Sequence, residues 1–210
     1  MASTDAAGPE ASLWLPAAAI FLSAFLLFQV QPLVGKLVLP WFGGSAGVWT
    51  TCLLFFQLLL LLGYLYAHLL VHRLGHRGQL LVHGGLLLAA CLLLAFLAGR
   101  DLRLPAAFHA ADGGRPVLRL LGLLTAMVGL PYFLLSTTGP LVQAWVARQG
   151  KVPYRLFALS NLGSMLALLG YPVLVEPFLR LRHQAWAWSA GFALFAVLLL
   201  RVARRSARPA

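Results

Sequence analysis

The sequence predicts an all-α integral membrane protein whose six transmembrane helices form a 3+3 inverted repeat. Three observations carry that expectation. The 210 residues are 61% hydrophobic and only 10% charged, with a mean hydropathy of +0.87, whereas soluble domains carry about 25% charged residues. Apolar runs near the roughly 20 residues that cross a bilayer recur along the whole length. Motifs of the first half return in the second at a nearly constant spacing.

Taken in order, the chain opens with a tail, residues 1–12, that holds Asp5 and Glu10 and no base. A secretory signal needs a positive segment ahead of its apolar stretch, so the first span reads as retained. The first three-helix unit occupies 13–98, with spans at Leu13–Leu37, Val48–Val71 and Gln79–Ala98. Residues 99–116, containing Asp101, Pro105, Asp112 and Gly113–Gly114, form the linker at the midpoint. The second unit occupies 117–202, with spans at Val117–Val142, Tyr154–Val175 and Gln184–Val202, before a basic tail at 203–210.

Sixteen Lys and Arg against five Asp and Glu give a formal charge of +11. The bases cluster in short segments between apolar spans, which suits topology and anionic lipid headgroups and not nucleic acid. Nine fall on the side that holds both termini and seven on the other. That small excess favours cytoplasmic N- and C-termini in a cell inner (plasma) membrane. Cys52 and Cys91 both lie inside spans and suit neither a disulfide framework nor a metal site.

The repeat rests on particular residues. "FLLFQVQPLVGKLV" from Phe25 aligns with "FLLSTTGPLVQAWV" from Phe133, and Pro32 falls opposite Pro140. "LLGY" occurs at Leu61–Tyr64 and again at Leu168–Tyr171, and Arg73 and His76 fall opposite Arg180 and His183. "GLLLAACLLL" from Gly85 aligns with "GFALFAVLLL" from Gly191. Three spans per unit is an odd number, so the second unit enters the membrane from the opposite side. Inverted three-helix repeats are characteristic of secondary transporters, where paired helix breaks mark a midplane site. Pro32 and Pro140 are expected to be such breaks.

These stretches also carry a resemblance. "FQVQPLVGKLVLPWFGGSAGVWTTCLLFFQLLLLLGYLYAH", "GLPYFLLSTTGPLVQAW" and "PYRLFALSNLGSMLALLGYPVLVEPFL" resemble the N-terminal membrane region of bacterial fused major facilitator/spermidine synthase-like proteins. The resemblance implies one six-helix half of a major facilitator fold. It suggests a polyamine or other small amine as substrate. The soluble aminopropyltransferase-like domain of that family has no counterpart in these 210 residues, so no enzymatic activity is implied and no cofactor is expected. "HRLGHRG" from His72 resembles the cytoplasmic loop between helices two and three of major facilitator transporters. Arg73, Gly75 and Arg77 fit that pattern, whereas His72 stands where an acid is usual.

The candidate cavity residues are Gln29, Gln31, Pro32, Ser136, Thr137, Thr138, Pro140, Asn161 and Glu176. Amides in hydrocarbon are costly unless bonded, so Gln29 and Gln31 serve either as glue between helices or as substrate contacts. Being two apart, they do not share a helical face. The hydroxyls of Ser136–Thr138 can satisfy carbonyls near Pro140 or meet a ligand. Asn161, with Ser160 and Ser164, suits close helix packing or a cavity wall. Glu176 is the one acid near a span, interfacial or cation-binding. Lys36 either snorkels to the headgroups or serves as a cavity charge. His68, His72 and His76 recur every four residues as an interfacial stripe, a spacing that could also bind metal or sense pH. Trp41, Trp49, Trp145, Trp186 and Trp188 suit the aromatic belt. His72, Arg73, Gly75 and Arg77 form a candidate gating loop.

Two functions from different classes follow. The first is a transport-related module that needs a second half, or a second copy of itself, to enclose a pathway. The second is a membrane anchor or scaffold for a spermidine synthase-like partner, or a truncated fragment of a fused transporter-synthase.

Overall fold

A computed structural model describes residues 13–99, 116–148 and 154–206, which are helical apart from short turns. The N-terminal tail 1–12, linker residues 100–115, Lys151 and residues 207–210 lie outside the described residues. Among the described residues six helices are long and apolar enough to cross a bilayer: α1 (Trp14–Phe42), α2 (Ala46–Arg73), α3 (His76–Gly99), α4 (Pro116–Ala147), α5 (Tyr154–Val175) and α6 (Leu181–Ser206). Hydrocarbon offers backbone groups no partners, so a chain this apolar satisfies them within helices. The protein is therefore a polytopic membrane protein.

The turns are short and built by local chemistry. Gly43 ends α1 with φ 75° and donates its N–H to the Leu39 carbonyl at 2.9 Å. Glycine adopts that positive φ without steric cost. Ser45 then opens α2, its hydroxyl accepting the Val48 N–H.

α1 and α4 are the central helices. α1 packs on α5, α6 and α4, while α4 packs on α2, α3 and α6. Lipid tails are as apolar as leucine, so helices associate through close packing and hydrogen bonds. Glycines supply the closeness. A Cβ at Gly63 of α2 would collide with Ser136 of α4, and one at Gly163 of α5 would sit 2.7 Å from the Phe21 carbonyl of α1.

Two buried glutamines supply some of the hydrogen bonds. Gln79 Nε2 donates to the Leu74 carbonyl at 2.8 Å, and Gln79 Oε1 accepts from Trp145 Nε1 at 2.9 Å. Gln184 Nε2 donates to the Leu179 carbonyl at 2.8 Å, and Gln184 Oε1 accepts from Tyr171 Oη at 3.0 Å. Each amide thus ties the start of a helix to the turn before it and to a neighbouring helix. The burial pattern shares this register: Gln79, His83, Leu87, Ala90 and Leu94 of α3 are buried, as are Gln184, Trp188, Phe192, Phe195 and Leu199 of α6.

Several sequence expectations change. Helices α3 and α6 share burial at a spacing of 105 residues, not the 106 or 107 read from leucine and loop matches. Pro32 and Pro140 break nothing, because α1 and α4 run straight through them. The departures from α geometry are π turns at Thr125–Gly129 and Tyr171–Val175. Trp145 and Trp188 are core residues, not belt residues; Trp188 Nε1 donates to the Leu26 carbonyl at 2.9 Å. The histidine stripe ends with α2, since His76 opens α3 and its Nε2 lies 2.7 Å from the Ala203 carbonyl.

Among the described residues, one end of the bundle carries Arg73, Arg77, Arg148, Arg155, Arg201, Arg204 and Arg205. The other carries Lys36, Arg119, Arg180 and Arg182 together with Glu176.

Candidate ligand-binding site

A cavity of about 540 Å³ lies toward that second end, within the roughly 300–1,000 Å³ typical of small-molecule sites. α1 forms its floor with Gln31, Pro32, Gly35, Lys36 and Leu39. Trp49, Cys52, Leu53 and Phe56 of α2 make one wall, and Leu168, Tyr171 and Pro172 of α5, with Glu176 just past its end, the other. A smaller apolar cavity of about 40 Å³ sits elsewhere, between α1, α3, α4 and α6.

Helical periodicity explains the floor. Residues three and four apart share a face, so Gln31, Gly35 and Leu39 align beside Pro32 and Lys36. Gly35 keeps the floor low. A Cβ there would lie 2.8 Å from the Trp49 ring, so the glycine lets the indole rest against α1.

The α5 wall needs more than α-helical spacing. Five residues of ordinary helix would turn Glu176 well away from Tyr171. Pro172 has no N–H to give the helix, and the segment adopts a π turn, with the Glu176 N–H bonding the Tyr171 carbonyl at 2.8 Å. A wider turn of that kind returns the fifth residue toward the same face, and Tyr171, Pro172 and Glu176 all reach the cavity. Single π turns occur often at functional sites. The Tyr171 hydroxyl, bonded to Gln184, anchors this turn to α6.

The polar groups converge there. Lys36 Nζ donates to Glu176 Oε1 at 3.1 Å, the two side chains remaining 38% and 46% exposed. A pair so accessible contributes about 0–1 kcal/mol to stability. Gln31 Nε2 donates to Tyr132 Oη of α4 at 3.2 Å, which fixes the amide at the rim of the floor. Lys36 thus reaches a carboxylate at the cavity.

Of the expected cavity residues, Gln31, Pro32 and Glu176 come together, joined by Lys36. Gln29 is half-buried outside the lining. Ser136, Thr137 and Thr138 are buried in α4 and donate to backbone carbonyls: Ser136 to Phe133 of its own helix and Leu59 of α2, Thr137 and Thr138 to Leu134 of their own helix. Their hydroxyls are thus taken up by backbone carbonyls, and neither they nor Pro140 line the cavity. Asn161 is exposed on α5, also outside it.

The loop residues lie at the other end. His72, Arg73, Gly75 and Arg77 are exposed there, with Arg148 of α4 donating to the Val71 carbonyl at 3.4 Å. His83 is a buried histidine that sequence reasoning passed over, its Nδ1 lying 3.4 Å from Tyr66 Oη. Also missed were Trp49 and Tyr171 as cavity walls. The signal for Tyr171 was the Gly170-Tyr171-Pro172 run inside a span, since proline there forces the hydrogen-bond ladder to shift.

No protein-family model, curated protein or solved structure matches this chain.

Proposed function

We propose that this chain is a transport-related membrane module that binds a small molecule in the cavity between α1, α2 and α5. One observation carries the reading: a partly open, largely apolar cavity brings Gln31 and Lys36 of α1 to face Glu176 at the end of α5. Ionisable groups in spans are expensive and are retained where they meet substrates or ions.

In this proposal the six helices are built as two inverted repeats, like one half of a major facilitator transporter. The paired roles of Gln79 and Gln184, and the central positions of both α1 and α4, support that arrangement. Transporter sites of this class form at the repeat interface. The excess of arginine at the end opposite the cavity supports cytoplasmic termini in an inner membrane, with the cavity facing outward. One half encloses no pathway by itself, so the working unit is a homodimer or a complex with a second membrane half. The resemblance to the membrane region of fused transporter/spermidine synthase-like proteins belongs to this proposal, with polyamines as its comparison substrates.

The test is uptake into liposomes holding the purified protein, using spermidine, putrescine and zwitterionic and anionic solutes. Transport of at least one, reduced by Gln31→Ala and by Glu176→Gln, is expected. Background uptake of every solute, or transport indifferent to both substitutions, contradicts the reading. A scaffold for a synthase-like partner would give that negative result.

A further inference from the structure

The lining of the same cavity specifies the charge of its occupant, an inference that rests on reading the cavity as a ligand site. Among the described residues Glu176 is the only carboxylate side chain and Lys36 the only lysine. They stand 140 residues apart in the chain, yet meet at 3.1 Å in this cavity. A site for a polycation would show acids in excess, and a site for an anion would show bases in excess. This one is balanced. The rest of its lining is largely apolar or aromatic, with Trp49, Phe56 and Tyr171 among the walls.

We propose that the cavity takes a small zwitterion with an apolar body, the chemistry of a neutral α-amino acid. Its ammonium pairs with Glu176, its carboxylate with Lys36, and its apolar part lies against Trp49 and Phe56. The internal ion pair occupies the place of such a ligand when the site is empty. Each protein charge then has a partner before and after binding, and exposed pairs of this kind separate at little cost. A ligand with only one charge engages one member and strands the other in a partly dehydrated cleft. Selectivity arises because a singly charged ligand makes only one of the two charge-assisted hydrogen bonds that a zwitterion makes. A polyamine meets one carboxylate and is repelled by the lysine beside it.

The experiment is equilibrium binding to the purified full-length protein in detergent. Leucine and phenylalanine serve as zwitterions, leucinamide as the matched cation, 4-methylpentanoate as the matched anion and spermidine as the polycation. The zwitterions should bind roughly ten- to hundredfold more tightly than the singly charged probes, the scale of one charge-assisted hydrogen bond. Glu176→Gln and Lys36→Met should each lose that advantage. The exchanged double variant, Lys36→Glu with Glu176→Lys, should regain it, which a merely folding-related effect would not. Spermidine, leucinamide or 4-methylpentanoate binding as tightly as leucine overturns the zwitterion assignment and leaves the cavity a ligand site. Silence of every probe, from protein that elutes as a single folded species, overturns both.

Discussion

The two polar constellations of this protein differ in burial, and so in what their loss costs. Gln79 and Gln184 are buried, and each accepts from an aromatic donor that has no water to turn to. Gln79→Leu leaves Trp145 Nε1 unsatisfied and should destabilise by about 1–3 kcal/mol. Lys36→Met, by contrast, removes half of an accessible pair and should cost under about 1 kcal/mol. Thermal unfolding in detergent compares them directly, and equal losses would contradict the assignment of Gln79 as structural. Gln31 and Glu176 were legible in the sequence because a polar group inside an apolar run has few bland explanations. The structural glutamines were not. They sit at span edges beside basic loops, where an amide looks interfacial, and only the packed helices show them to be core.

Among elements, the number and type of spans followed from hydropathy alone, because the bilayer fixes both length and composition. The interior of the spans was harder to read. Pro32 and Pro140 drew attention as breaks, yet their helices continue through both positions. The consequential proline is Pro172, within a π turn, a shift of one hydrogen bond that leaves hydropathy unchanged. Pro172→Ala restores the N–H and should let α5 relax toward α geometry, turning Glu176 from Lys36. In a Cys52→Ala/Cys91→Ala/Lys36→Cys/Glu176→Cys background, crosslinking by a short bis-maleimide should fall markedly when Pro172→Ala is added; an unchanged yield would contradict the role given to the π turn. Helix contacts make a separate prediction. Gly63→Leu forces a side chain into Ser136 of α4 and should cost about 1–3 kcal/mol or more. Asn161→Leu, on an exposed face, should stay within about 0.5 kcal/mol. Folded yield on size-exclusion chromatography would reverse that order only if α2 did not pack closely on α4.

For the molecule as a whole, α1 and α4 are the more buried helices while α2, α3 and α5 present rows of leucine outward, Leu54, Leu58, Leu61 and Leu65 on α2 among them. Lipid covers much of that surface, but a pathway requires a second bundle facing the cavity. Mass measurement in detergent should therefore give a dimer or a larger complex, and a strict monomer would weigh against transport. A ligand site in this cavity requires that water reach it from the end away from the arginine-rich loops. Leu53→Cys or Leu168→Cys, each in a Cys52→Ala/Cys91→Ala background, tests this with a membrane-impermeant maleimide on intact spheroplasts, with Leu88→Cys of α3 as the exposed apolar control. The account predicts labelling of positions 53 and 168 and none at 88. Cavity cysteines as silent as position 88, or labelled only after the membrane is permeabilised, would contradict it.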